Sequence, residues 1–179
     1  MKNDLVFYSC FLYYTSTNMN NQKSALVTLI IWTDGSCLKN PGPGGWAFIL
    51  EDDKLEYEIS CCSDGTTTNN EMELTAIVRS LEFLYSEKLL KKSVGKIIVM
   101  SDSNYSIRGI NEWIDKWMAK PTDRPNWSLW KELYKLKTMI NKLVPLEFKW
   151  VKAHSTNPMN NRVDKLAHAR ATELKHNSN

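Results

Sequence analysis

No apolar run in these 179 residues approaches the length needed to cross a bilayer as a helix, so no membrane partner is expected. Four cysteines, Cys10, Cys37, Cys61 and Cys62, show neither metal-ligand spacing nor the framework of a disulfide-stapled domain. A reducing, cytoplasmic setting is the default for such a chain. Strong charge of either sign is also missing: the net charge of +3 leans mildly toward an anionic partner and no further. There is no internal repeat and no linker between domains. What remains, 42% apolar and 24% charged residues, is the composition of one ordinary globular domain with a substantial core. The first 25 residues differ from the rest, with an apolar stretch over Leu5–Tyr14 and then a Thr/Ser/Asn-rich connector. Lys2 is offset by Asp4 and Thr15-Ser16-Thr17 makes a poor cleavage site, against a secretory signal. Residues 1–25 are therefore expected to be a poorly ordered or loosely packed extension, 26–175 the folded domain, and 176–179 a tail.

Within the domain, Leu29, Ile30, Ile31 and Trp32 read as a strand buried on both faces. That strand delivers Asp34 toward the core, where an ionised carboxylate is costly without a counter-charge. Gly35 and the Asn40-Pro41-Gly42-Pro43-Gly44-Gly45 cluster read as a turn, followed by a hairpin of Trp46–Leu50 and Lys54–Cys61 about Glu51-Asp52-Asp53. Thr68 with Glu71 three residues later is a capping-box pattern. Leu74, Ile77, Val78, Leu81 and Tyr85 then predict an amphipathic helix to about Leu90. Lys96–Asp102 repeats the theme of an apolar strand ending in an acid, ahead of helical residues through Met118, a helix over Trp127–Leu143 and a strand over Pro145–Val151. In the last helix, Arg162–Lys175, Asp164 shares a face with Ala167 and Ala171, small enough for close approach to a sheet.

This order of elements predicts a mixed α/β sheet with helices on both faces. A right-handed crossover through the long helix makes the Asp34 and Asp102 strands parallel neighbours, and open α/β sheets bind ligands at such strand ends. Taken singly, Glu73 is equally a dipole-favoured acid near a helix start, Asp102 a helix cap and His154 a surface residue. Taken together, four carboxylates in one cleft either hold protons or hold divalent cations. Oxygen-only ligands favour Mg²⁺ or Mn²⁺, and two such ions about 4 Å apart form a clamp for in-line phosphodiester cleavage. From Trp113 to Lys152, nine basic residues alternate with five tryptophans. That mixture suits either a phosphate-bearing, stackable ligand or a solvated helix face over a Trp-rich core.

Five motifs in order, Thr33–Gly45, Thr67–Leu74, Ser101–Tyr105, Val151–His154 and Asn160–Ala167, resemble those of type 1 ribonuclease H, especially the bacterial enzymes. The resemblance covers about residues 28–174. It implies a five-stranded mixed sheet and a monomeric, metal-dependent endoribonuclease that cuts the RNA strand of RNA–DNA hybrids, leaving 5′-phosphate and 3′-hydroxyl ends. It implies that Asp34, Glu73, Asp102 and Asp164 hold two Mg²⁺ ions, with Mn²⁺ an alternative. Asp34 would bridge both, Asp164 would assist the ion on the nucleophile side, and Glu73 and Asp102 the other. His154 would be the loop histidine that shuttles a proton or helps product leave. Cys37, Asn40, Asn69, Asn70 and Asn104 would contact the hybrid groove, Asn40 and Thr68 a DNA-strand phosphate, and Trp113 the DNA strand.

Two departures stand out. Bacterial relatives usually carry a longer basic protrusion where this chain has the proline-broken Met118–Pro125, which implies modest hybrid affinity with a flatter salt dependence. Glu71 occupies a position where arginine is common, adding negative charge near the cleft.

Overall fold

The strand carrying Asp34 runs through the middle of the sheet because its side chains are apolar toward both faces. Leu29 and Ile31 enter the larger of two cores, while Trp32, one residue out of phase, enters the smaller. The computed structural model describes residues 11–16, 26–53, 55–90, 93–153 and 156–177. In chain order the elements are β1 (Phe11–Ser16), β2 (Val27–Cys37), β3 (Gly42–Glu51), β4 (Leu55–Thr67), α1 (Asn69–Ser86), β5 (Val94–Ser101), α2 (Asn104–Arg108), a π-helical turn (Gly109–Trp113), α3 (Ile114–Ala119), α4 (Trp127–Asn141), β6 (Leu146–Trp150) and α5 (Pro158–Asn177).

The sheet order is β1-β4-β3-β2-β5-β6. β2 pairs antiparallel with β3 and parallel with β5, and β5 pairs parallel with β6. The five strands β2–β6 are the mixed sheet expected from the sequence. β1, from the stretch expected to be loosely packed, adds a sixth strand antiparallel to β4, with Phe11 opposite Ser60. One face carries α1 and α4 over the larger core, which includes Leu74, Ile77, Leu81, Trp130, Leu133 and Ile140. The other carries α5, whose Val163 and Ala167 pack on Trp32, Ala47 and Ile49. Helices on both faces of the sheet are thus as predicted.

Several boundaries differ from the sequence reading: Gly35 lies within β2, which runs to Cys37, and β4 continues past Cys61 to Thr67. β3 begins at Gly42, inside the cluster read as a turn; the turn is tighter, with Lys39 at φ 63° and the Leu38 amide donating to the Pro43 carbonyl at 2.8 Å. α5 begins at Pro158 instead of Arg162, with Asn157 Oδ1 accepting from the amides of Met159 (3.0 Å) and Asn160 (3.1 Å). α1 stops at Ser86 because Lys88 takes a left-handed conformation at φ 52°, and the amides of Leu89 and Lys88 return to the carbonyls of Leu84 and Tyr85. That is a Schellman closure with lysine in the place glycine usually holds. Leu89 and Leu90, which made the pattern look continuous, pack on the core after the reversal. Lys88→Gly is expected to stabilise the protein by about 0.5–1 kcal/mol in urea denaturation, because glycine carries no Cβ penalty there. A loss of stability would show that the lysine conformation is unstrained.

Candidate active site

Asp34 lies on β2 one residue past Thr33, which pairs with Ser101 on β5. Asp34, still within β2 and opposite Ala47 of β3, and Asp102, just past the end of β5, therefore lie at the same level on adjacent parallel strands, about 4.8 Å apart in the pairing direction. Asp34 is only 7% exposed. Its carboxyl is pushed up to about 8, first by burial and then by the charges of Asp102, Asp164 and Glu73; the Gly35 backbone amide pulls the other way. Among the described residues the side-chain charges acting on it, Asp102, Asp164 and Glu73, are all negative. The four acids picked from the sequence are thus brought into one electrostatic neighbourhood.

Each helix reaches that neighbourhood through a glycine. A Cβ on Gly35 would lie 2.1 Å from the Glu73 amide nitrogen and 2.2 Å from the Met72 carbonyl carbon, so β2 and the first turn of α1 touch backbone to backbone. On the opposite face a Cβ on Gly45 would lie 2.5 Å from the Ala167 carbonyl oxygen and 2.6 Å from the Ala171 nitrogen. The small face of α5 foreseen in the sequence is seated there, and it brings Asp164 within electrostatic reach of Asp34.

Neutral donors orient the carboxylates. Glu73 accepts from Asn69 Nδ2 (2.9 Å) and from the Ser103 hydroxyl. Burial raises its carboxyl, the Ser103 hydrogen bond lowers it, and the Asp102 charge raises it again. Asp102 Oδ2 accepts from Asn160 Nδ2 at 3.1 Å, and the Asp102 carbonyl accepts from Trp150 Nε1 at 2.9 Å. Among the described residues no three His, Cys, Asp or Glu side chains stand close enough to cage an ion as they are placed. Like charges repel, and Glu73 and Asp102 are turned to their neutral partners. The donor set is nonetheless all oxygen, and no cation among the described residues acts on Asp34, which fits hard divalent cations.

The residues expected to line a groove divide into two groups. Cys37, Asn40, Thr68, Asn69 and Asn70 gather where the β2–β3 turn meets the start of α1. Asn40 Oδ1 accepts from the Asn69 amide at 3.0 Å, and Thr68 caps α1 by accepting from the Glu71 amide at 3.3 Å. The capping box is half formed, since the Glu71 carboxylate goes to the Thr67 hydroxyl at 2.7 Å. The half-buried Cys37 thiol points to the carbonyls of Thr67 (3.2 Å) and Gly42 (3.5 Å). Asn104 is exposed at the start of α2. Trp113 lies farther along, under the Arg108 guanidinium at 5.0 Å and beside Trp117 at 5.6 Å. His154 lies outside the described residues.

Of the interleaved cations and tryptophans, Trp130 is core, fully buried with Nε1 donating to the Tyr105 hydroxyl at 3.0 Å. Arg124 stacks on Trp117 and Trp127, 4.3 and 5.0 Å from the ring centres. Lys116 and Lys120 are exposed. Sequence reasoning missed Ser103, Trp150 and Asn160 as partners of the acids. A signal existed for Asn160, which precedes Asp164 by one helical turn.

A β4-β3-β2-β5-β6 mixed sheet with four acids brought together around Asp34 of β2, beside the end of β5, defines an α/β enzyme of the ribonuclease H-like class. The RNase H family model matches residues 27–172. A ribonuclease H of Dechloromonas aromatica is 42% identical over 154 residues, covering 83% of this chain and 96% of its own length. One from Campylobacter jejuni is 40% identical over 145 residues, covering 80% and 91%. Among solved structures, the N-terminal RNase H domain of a Mycobacterium tuberculosis protein superposes with a TM-score of 0.68 at 18% identity, covering 86% of this chain and 99% of that one. LC11-RNase H1 in complex with an RNA/DNA hybrid gives 0.63 at 24%, covering 82% and 99%. The chain belongs to the RNase H family, in its type 1 branch, a family of metal-dependent endoribonucleases.

Proposed function

We propose that this protein hydrolyses the RNA strand of RNA–DNA hybrids endonucleolytically, leaving 5′-phosphate and 3′-hydroxyl ends, with Asp34, Glu73, Asp102 and Asp164 holding two Mg²⁺ ions. The observation that carries the reading is the Asp34 carboxyl, buried within β2 and raised to about 8 with three further acids acting on it. A folded domain keeps such a cluster at neutral pH when cations complete it. Bound divalent ions supply charge stabilisation and activation of water for in-line displacement at phosphorus. Asp34 would serve both ions, with Asp164 completing one side and Glu73 and Asp102 the other. Asn69 and Ser103 hold Glu73, and Asn160 holds Asp102, so both carboxylates are held in place before substrate arrives.

Cys37, Asn40, Thr68, Asn69, Asn70 and Asn104 contact the hybrid around the cleft, where amides that both donate and accept recognise the 2′-hydroxyls separating RNA from DNA. Trp113 lies against the DNA strand, and His154 moves a proton or eases product release. Support comes from the relatives named ribonuclease H and from the neighbour whose structure includes an RNA/DNA hybrid. The test is an assay of end-labelled hybrid, duplex RNA and duplex DNA with Mg²⁺, Mn²⁺ or chelator. Cleavage of the hybrid's RNA strand alone, abolished by chelator, is expected. Equal cutting of duplex DNA, or cutting in chelator, would overturn the reading.

A further inference from the structure

Asp102 is gripped at both ends by residues that flank one connection. Trp150, the last residue of β6, donates its indole N–H to the Asp102 carbonyl at 2.9 Å, and the Val151 amide donates to the Ser101 carbonyl at 3.0 Å. Asn160, in the first turn of α5, donates Nδ2 to Asp102 Oδ2 at 3.1 Å. The β6–α5 connection, which contains His154, is therefore tied at its two stems to the same acid.

Asn160 is 2% exposed, yet its Oδ1 is fully buried with no hydrogen-bond partner among the described residues. An unpaired buried carbonyl costs stability, and turning the amide over would set that oxygen against a carboxylate. The polar group is thus kept in a place where the fold gains nothing from its acceptor end. Its donor end goes to Asp102 Oδ2.

We propose that Asn160 is a positioning residue for RNA cleavage. By holding Asp102 Oδ2 it sets the orientation in which that carboxylate meets a divalent cation, while Trp150 holds the Asp102 main chain. The proposal rests on the hybrid-cleaving function above and deepens it. A neighbour that orients a metal-binding carboxylate affects metal affinity or activity about 10- to 100-fold.

In Asn160→Ala, kcat on the hybrid is expected to fall by about that factor with KM nearly unchanged, and the half-saturating Mg²⁺ concentration is expected to rise. Calorimetric Mn²⁺ titration without substrate should show the same weakening. The thermal midpoint in chelator should hold steady or rise, since the unpaired carbonyl is gone and alanine suits a helix. Asn160→Gln, which keeps the amide donor on a longer arm, should recover part of the loss. Trp150→Phe keeps the ring and loses only the N–H, so it decides the matter if Asn160→Ala does not fold; a smaller change in the same direction is expected. Wild-type kcat and wild-type Mn²⁺ affinity in a folded Asn160→Ala protein would overturn the proposal. So would a lowered thermal midpoint with both measures intact, the mark of a structural role alone. If the wild-type protein fails to cut the hybrid, it is the functional reading that fails, and calorimetry still reports on Asn160.

Discussion

Asp34→Asn is expected to lower hybrid cleavage by at least about 10³-fold, the rate equivalent of losing several kcal/mol of transition-state charge stabilisation. The same change is expected to make the metal-free protein more stable. The Asp34 carboxyl titrates at about 8 in the fold against 3.8 for a free side chain, through burial first and then Asp102, Asp164 and Glu73. Between those two values the folded state binds the proton more tightly than the unfolded chain. Its contribution to stability is therefore whole below pH 4, declines as pH rises and is lost by about pH 8. At about 1.4 kcal/mol per pH unit, the loss is no more than about 6 kcal/mol, shared with the neighbouring acids. Asparagine cannot ionise, so the variant should lose this slope. Thermal unfolding in chelator at pH 5, 7 and 9 should show wild-type midpoints falling and Asp34→Asn midpoints changing far less. Mg²⁺ should restore the wild type selectively. Parallel profiles for the two proteins would mean that Asp34 is not held among acids.

Gly35→Ala is expected to disable the enzyme while leaving all four acids in the chain. The new Cβ would fall 2.1 Å from the Glu73 nitrogen and 2.2 Å from the Met72 carbonyl carbon. Both are helix backbone, so no flexible side chain can yield. The start of α1 must back away from β2 and carry Glu73 with it. Overpacking of this kind costs about 1–3 kcal/mol or more, and a shift of about 1 Å in a reacting group costs about 10²-fold in rate. A drop in urea midpoint and a kcat lowered about 100-fold are the expected readings. A folded Gly35→Ala protein with wild-type kcat would show that the contact between β2 and α1 does not set the position of Glu73.

Much of this was legible in the chain itself. Asp34 declared itself by ending an apolar run, and Asp102 by repeating that pattern. The crossover rule then made their strands neighbours, as the Thr33–Ser101 pairing bears out. Ala167 and Ala171 marked the face of α5 that approaches the sheet. Other features depended on tertiary partners that no local pattern encodes. Gly45 looked like turn chemistry, whereas its missing side chain makes room for α5. Lys88 ends α1 without the glycine that would have signalled it. Ser103 sits in a polar stretch where nothing separates a buried carboxylate partner from a solvated residue, and only the helical spacing to Asp164 marked Asn160. β1 gave no alternation by which its pairing with β4 could be read.

The most direct test is anomalous diffraction from crystals of the protein soaked in Mn²⁺. Two peaks are predicted, both within ligand distance of Asp34, with Glu73 and Asp102 on one and Asp164 on the other. A cleft that binds Mn²⁺ without Asp34, or ions that collect elsewhere while these four carboxylates stay apart, would contradict the account.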